Sequence, residues 1–99
     1  MTSFFLFGSY TQDALDGIDA ERTKKAEEII TGFGGKLRSV YALLGEYDIV
    51  MIADLPGVPE AVQVSIALNR DTGIAFTSYP AIPVADFDRL ATAVLHGDG

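Results

Sequence analysis

The sequence predicts an α+β domain with the element order β-α-β-β-α-β and a further helix at the end of the chain. Apolar runs with strand character alternate with segments whose apolar residues recur every three or four positions. In the middle of the chain only Gly45 and Glu46 separate two apolar runs, which is typical of an antiparallel hairpin. This order is that of the ferredoxin-like fold, an antiparallel sheet with helices on one face.

The length and composition indicate one domain. A chain of 99 residues with 48% hydrophobic and 21% charged residues can form one core and is too short for two. We therefore expect a single domain over residues 1–96. The final Gly-Asp-Gly, residues 97–99, is expected to be a disordered tail.

The first strand and the first helix are predicted in the opening third of the chain. Residues 4–10 form a short aromatic strand, and residues 11–16 form a polar turn. Asp19 is the expected helix N-cap. An apolar stripe interrupted at Arg22 defines the helix; its members are Leu15, Ile18, Ala26, Ile29, Ile30 and Phe33. Glycines 32, 34 and 35 are expected to supply the left-handed residue that ends it.

The central hairpin joins strands predicted over residues 36–44 and 47–54. Gly45 as the first of two loop residues predicts a type II′ turn. In that register Leu43 faces Asp48, and Ala42 faces Ile49. The next helix begins near Pro59 and ends at Gly73, and residues 74–81 form the fourth strand. The last helix begins at Pro83; its apolar stripe is Val84, Phe87, Leu90, Ala91 and Val94.

The predicted sheet has strand order 4-1-3-2 and two apolar faces. One face of the hairpin carries Val40, Ala42, Leu44, Tyr47, Ile49 and Met51, and the other carries Leu37, Tyr41, Leu43, Val50 and Ile52. The main helices can cover only one of these faces, and the other would expose a large apolar patch. We therefore expect a homodimer, or a higher oligomer built from it, with sheet packed against sheet.

Charge and residue usage exclude several classes of protein. The net charge of −7 argues against nucleic acids and anionic membranes as partners. The chain contains no cysteine and one histidine, His96, so we expect no metal and no cofactor. The absence of cysteine fits a reducing cytoplasm. No basic leader and no apolar segment of membrane-spanning length is present.

The motif Gly45-Glu46-Tyr47-Asp48, followed by the apolar Ile49-Val50, resembles the signature of the GYD-domain family. Further stretches are similar in order and spacing: Tyr10-Thr11-Gln12, Gly34-Gly35-Lys36-Leu37, Pro80-Ala81 and Asp86-Phe87. Together they cover nearly the whole chain. The resemblance implies a dimeric α+β barrel of small bacterial and archaeal proteins. It implies no reaction.

Asp48 is the first candidate site residue. The predicted register places it on an apolar face, where burial would raise its pKa and suit a general acid or base. The structural alternative is that Asp48 accepts backbone N–H bonds at the hairpin, or pairs with Lys36 or Arg38 of a second copy. Tyr47, its neighbour on the strand, should point to the opposite side, toward a second copy.

Tyr10 and Tyr41 are the other ligand-binding candidates. We expect any pocket to lie between the sheet and the helices, with both tyrosines and Asp48 contributing. Their hydroxyls could hold a phenolate, enolate or carbonyl oxygen, although tyrosine is also an ordinary half-buried strand residue.

Two functions remain open at this stage. The first is a homo-oligomeric domain that binds a small molecule or acts as an accessory. The second is a cofactor-independent enzyme, similar to a monooxygenase or isomerase, with a small aromatic or carbonyl substrate. The second rests on analogy with other dimeric barrels. Convergent polar groups around a perturbed titrating residue would favour the enzyme.

Overall fold

The computed structural model describes residues 1–12 and 20–97 of the chain. Within them the elements are β1 Thr2–Ser9, α1 Ala20–Gly32, β2 Lys36–Ala42, β3 Ile49–Leu55, α2 Val58–Thr72, β4 Ala75–Ala81 and α3 Val84–Leu95. The predicted order is confirmed. Leu15, Ile18, the Asp19 cap and most of the turn over 11–16 lie outside the described residues, as do the last two residues of the predicted tail.

The four strands form one sheet in the order β2-β3-β1-β4. Each neighbouring pair is antiparallel, with Leu6 of β1 lying between Met51 of β3 and Ser78 of β4. The predicted strand order is therefore confirmed. The two central strands, β1 and β3, contain the buried strand residues, in keeping with their position inside the sheet.

The β2–β3 connection is longer than predicted. Ala42 lies opposite Ile49, and the Leu43 N–H donates to the Asp48 carbonyl at 2.8 Å, so the predicted register holds at this end. The tight II′ turn was wrong: Gly45 has φ of 158°, not the roughly +60° of such a turn. The Asp48 N–H donates to the Gly8 carbonyl of β1 at 2.9 Å, so the Asp48 backbone is hydrogen-bonded on both sides.

A β-bulge at Arg38 changes the predicted face of Leu37. Leu37 lies opposite Ala53 while Ser39 lies opposite Ile52, so β2 has one additional residue here. One extra residue moves a side chain to the other face of the sheet. Leu37 therefore packs with the core on the helix side, and its predicted place beside Tyr41 was wrong.

The core lies between the sheet and helices α1 and α2. Its buried members are Phe4 and Leu6 of β1; Ile49, Met51, Ala53 and Leu55 of β3; Ala26 and Ile30 of α1; and Ala61, Val64 and Leu68 of α2. The covered face of the hairpin is thus the one that carries Ile49 and Met51.

The opposite face of the sheet, called here the open face, consists of Phe5, Phe7, Tyr41, Val50, Ile52 and Tyr79. Direct partners across the strands share a face, and the pairs Phe5–Ile52, Phe7–Val50 and Tyr41–Val50 connect the set. Helices α1 and α2 pack on the other side. Tyr41 and Tyr79 remain about half exposed, at 57% and 48%.

The helix ends follow the glycine and proline signals in the sequence. Gly34 has φ of 83°, and Gly35 donates its N–H to the carbonyl of Ile30 at 3.0 Å. Gly73 closes α2 with φ of 75°, and Pro59 occupies its first turn. These ends agree with the predicted ones to within two residues.

Helix α3 extends away from the rest of the described structure. None of its 12 residues is buried. The molecule measures 53 × 30 × 18 Å, with a radius of gyration of 15.6 Å, against about 13 Å for a compact chain of this length. The last helix therefore has an apolar stripe without a core to pack on.

Candidate functional site

Asp48 joins the hairpin to the end of β1. Its Oδ2 accepts a hydrogen bond from the Tyr10 backbone N–H at 2.9 Å, while its own N–H donates to Gly8 at 2.9 Å. The carboxylate is partly buried at this junction. These contacts match the structural alternative for Asp48, acceptance of backbone N–H bonds, although the donor belongs to β1.

The three ligand-binding candidates do not come together in one pocket. Tyr10 packs against the core and lines a cavity of about 50 Å³ between sheet and helices, together with Ala26 and Met51. A cavity of that size suits one or two water molecules. Tyr41 lies on the open face. Asp48 is connected to the cavity only through the hydrogen bond that it accepts from the Tyr10 backbone.

Tyr47 belongs to an aromatic cluster on the open face. Its ring centroid lies 5.3 Å from that of Phe7, and Tyr79 meets Phe7 edge-on at 5.8 Å. A hydrogen bond with Tyr47 raises the pKa of Tyr79, so this phenol stays protonated further above neutrality. Tyr47 thus lies on the open face. The prediction that it shares a face with Ile49 and Met51 was wrong, because Tyr47 precedes β3 and its ring packs on Phe7, whereas Ile49 and Met51 face the helices.

Phe7 and Tyr79 were not identified from the sequence as site residues. The signal was present: two aromatic residues at alternating positions in β1, Phe5 and Phe7, must share a face. Their ring centroids are 6.5 Å apart. The position of Tyr79 follows only from its pairing opposite Phe5.

A polar trough lies at one end of the open face. The Ser3 hydroxyl donates to Asp54 Oδ1 at 2.9 Å, and Arg38 Nε donates to Asp54 Oδ2. These two bonds, the one from Arg38 first, lower the pKa of the Asp54 carboxyl. The trough has a volume of about 540 Å³, and Lys36 and Ile52 also line it. The bulge at Arg38 builds this site, and the sequence contains no clear signal for a bulge.

A second, mostly apolar groove lies between α2 and the edge strand β4. Its volume is about 300 Å³, and its apolar wall includes Phe4, Val58, Ala61, Val62, Ile66, Phe76 and Pro80. The hydroxyls of Ser65 and Ser78 meet within it at 2.9 Å. Val62 and Ile66 are more than half exposed, which leaves the groove open to solvent.

The described residues contain neither a cluster of metal ligands nor a membrane-spanning helix. Among residues 1–12 and 20–97, no three acidic or histidine side chains gather as metal ligands. His96 is exposed and follows α3, where its N–H donates to Thr92 at 2.9 Å. No helix in the described part of the chain has the length and apolar character to cross a membrane.

The GYD-domain sequence family matches residues 4–91. The chain belongs to the GYD-domain family. The match includes the motif from Gly45 to Asp48, so the resemblance seen in the sequence is confirmed. A search of curated proteins finds no match to this GYD domain.

Two solved structures of regulatory proteins have a similar fold. One transcriptional regulator superposes with a TM-score of 0.63 and 17% identity, over 84% of this chain and 51% of that one. The leucine response regulatory protein LrpA of Mycobacterium tuberculosis gives a TM-score of 0.55 at 13% identity, over 83% and 51%. The GYD domain thus spans half the length of these regulators. At these identities the likeness shows the fold alone.

Proposed function

We propose that this GYD domain is a homodimerising accessory domain whose open sheet face is the contact between two copies. The observation that carries the proposal is an apolar, aromatic sheet face without a helix on it. Phe5, Phe7, Val50 and Ile52 form its centre. A contiguous apolar patch of this kind marks an interaction surface.

The aromatic cluster favours a second copy as the occupant of this face. Tyrosine and phenylalanine are enriched in the cores of protein interfaces, where the ring is buried and the hydroxyl reaches a polar partner. The hydroxyls of Tyr47 and Tyr79 lie close enough to interact, which gives this aromatic cluster a polar element. A two-fold contact uses the same patch on both copies.

Sedimentation of wild type and two variants tests this contact. Tyr41→Asp places a carboxylate on the open face, at a side chain that is 57% exposed. We expect the wild type to sediment as a dimer and Tyr41→Asp to dissociate at least about tenfold more readily, the equivalent of 1.4 kcal/mol. Gln63→Asp, on the exposed side of α2, is the matched control and should remain dimeric. A monomeric wild type at micromolar concentration contradicts the proposal.

The groove between α2 and β4 supports a second role, binding of a small apolar molecule with one polar group. Its volume of about 300 Å³ lies at the lower limit of known ligand pockets. The Ser65–Ser78 hydroxyl pair is the polar element in an apolar wall. One structural neighbour is a leucine response regulatory protein, so an effector-binding accessory is compatible with this fold.

Titration with n-hexanol, followed by amide NMR shifts, tests the groove. We expect shifts confined to Ser65, Ser78 and their neighbours, saturating with added alcohol. Ser65→Ala removes one hydroxyl and should weaken binding by about three- to tenfold, as expected for one hydrogen bond. Ser39→Ala, on β2, is the control and should bind as the wild type does. Shifts spread over the whole domain would contradict a specific site.

The arrangement favours binding over the enzymatic alternative. Among the described carboxyl groups, the two with lowered pKa, Asp54 and Asp71, each owe the shift first to a hydrogen bond from an exposed arginine. Neither lines the cavity at Tyr10 or the α2–β4 groove. We assign the domain to the cytoplasm, with no nucleic-acid or membrane partner, as its composition predicts.

A further inference from the structure

We propose that α3 of one protomer packs across the open face of a second copy, at the end where Ser3 and Ile52 lie. This inference rests on the proposed dimer and adds its second contact: each copy contributes a helix that covers the sheet of the other. The interface is then made of two different surfaces, which can be altered separately.

Helix α3 has the amphipathic pattern of a packed helix and no packing of its own. The exposed fractions of Phe87 and Leu90 are 61% and 50%, and that of Val94 is 78%. At 100° per residue these side chains fall on one side of the helix, while Arg89 and Thr92 fall on the other. A helix of this length is marginal in water unless its apolar side is buried.

The connection to β4 keeps α3 away from its own sheet. Only Ile82 and Pro83 separate Ala81, the end of β4, from the first residue of α3. The residue before a proline is restricted to extended backbone. Pro83 is itself extended, with φ of −58° and ψ of 146°. In the structure none of the residues of α3 is buried against its own sheet, so we look to another chain for the apolar surface on which it packs.

The open face of a second copy offers an apolar surface beside the point where α3 begins. A hollow of about 240 Å³ is lined by Phe5 and Ile52 of the open face together with Ile82 and Pro83. Helix α3 therefore starts at the margin of the surface that the proposed dimer buries.

Charge favours the same arrangement. Asp86 and Asp88 flank the apolar side of α3, and Lys36 and Arg38 stand at the trough of the open face. Arg38 is paired with Asp54 there, so Lys36 supplies the positive charge that an acidic residue of α3 would meet. Asp86 has only an exposed contact with Arg89 at 3.5 Å, which contributes little and is readily exchanged.

Cross-linking between two differently tagged chains tests the contact. The chain has no cysteine, so each variant carries a single thiol. Leu90→Cys is mixed with Ile52→Cys and treated with a short bismaleimide. We expect a heterodimeric product joining the two chains. The matched control, Leu90→Cys with Gln63→Cys, should give only background.

Each result of this experiment has a distinct meaning. A product with Val62→Cys in place of Ile52→Cys would put α3 in the α2–β4 groove and overturn the proposal. A chain carrying both Leu90→Cys and Ile52→Cys that reacts only within itself would also overturn it. If the mixed chains sediment as dimers yet give no Ile52 product, the proposed function stands and this inference fails. If they sediment as monomers, both fail.

A substitution on α3 measures how much the contact contributes. Leu90→Asp should raise the dimer dissociation constant by about tenfold or more, because it replaces a buried apolar side chain with a charged one. Thr92→Asp adds the same charge on the opposite side of the helix and should change the constant by less than about threefold. Equal effects of the two substitutions would contradict the contact.

Discussion

At the scale of single residues, the motif side chains Tyr47 and Asp48 have different structural roles. Asp48 accepts a hydrogen bond from the Tyr10 backbone at 2.9 Å and so ties the hairpin to β1. Tyr47 stacks on Phe7 on the open face. One residue thus stabilises the protomer, and its neighbour belongs to the surface through which we expect two copies to meet.

Replacement of Asp48 should reduce stability. Asp48→Ala leaves the part-buried Tyr10 N–H without its acceptor and should lower the free energy of unfolding by roughly 1–3 kcal/mol. Asp48→Asn retains one acceptor oxygen without the charge, so we expect about 1 kcal/mol. Urea unfolding measures both. Glu46→Gln, exposed in the same loop, is the control; equal stability of Asp48→Ala and wild type would contradict the role.

Asp54 should make stability depend on acid pH. Hydrogen bonds from Arg38 and Ser3 lower the pKa of its carboxyl below 3.8 in the folded protein. The stabilisation is therefore present above the unfolded pKa and is lost as the pH falls through the lower folded pKa. The gap in unfolding free energy between wild type and Asp54→Asn should shrink in acid. Arg38→Ala should remove most of this dependence, and an unchanged dependence would contradict the pairing.

At the scale of elements, glycine and proline fix where the helices begin and end. Gly34 adopts φ of 83°, a left-handed conformation that ends α1, and Gly73 does the same for α2. Pro59 begins α2, and Pro83 precedes α3. The geometry of the strands depends less on the local sequence. The bulge at Arg38 and the long β2–β3 connection both depend on pairing with the neighbouring strand.

A pair of glycine substitutions at the end of α1 should have opposite effects. Gly34→Ala forces a side chain into the left-handed region and should cost roughly 1–2 kcal/mol, although a Cβ there meets only Pro56 at 3.4 Å. Gly32→Ala lies in the helix with open space around it and should be neutral or stabilising by up to ~1 kcal/mol. Thermal unfolding compares the stabilities of the two variants. If Gly34→Ala were more stable than the wild type, a left-handed conformation at Gly34 would be excluded.

At the scale of the whole molecule, the protomer leaves two apolar surfaces without cover. The open face lies on one side of the sheet, and α3 extends from the end of the molecule, whose longest dimension is 53 Å. A chain with a net charge of −7 gains solubility from repulsion, yet that repulsion acts weakly against burial of aromatic surface at physiological ionic strength. The proposed self-association would cover both surfaces together.

Thermal stability should therefore depend on protein concentration. Association stabilises the folded form by mass action, so a tenfold rise in concentration should raise the melting temperature by about 4 °C. Tyr41→Asp should lower the melting temperature at high concentration and flatten this dependence. Scanning calorimetry at several concentrations measures the effect, and a melting temperature that stays constant would argue for a stable monomer.

The sequence by itself determined the element order, the strand order and the helix ends. These depend on signals between near neighbours: the spacing of apolar residues, glycine at a left-handed position, and proline in a first turn. It also determined that both faces of the sheet are apolar. The resemblance through Gly45, Tyr47 and Asp48 identified the family, because those residues occur in fixed order.

Only the tertiary structure decided which face of the sheet the helices cover and what each candidate residue contacts. One additional residue at Arg38 moves Leu37 to the other face, and no local pattern records that residue. The contacts of Asp48 and Tyr47 did not follow from the predicted hairpin, because their partners are the Gly8 carbonyl, the Tyr10 N–H and the ring of Phe7. Those partners lie about 40 positions away in the chain, where sequence periodicity, which reports only on neighbours, carries no information.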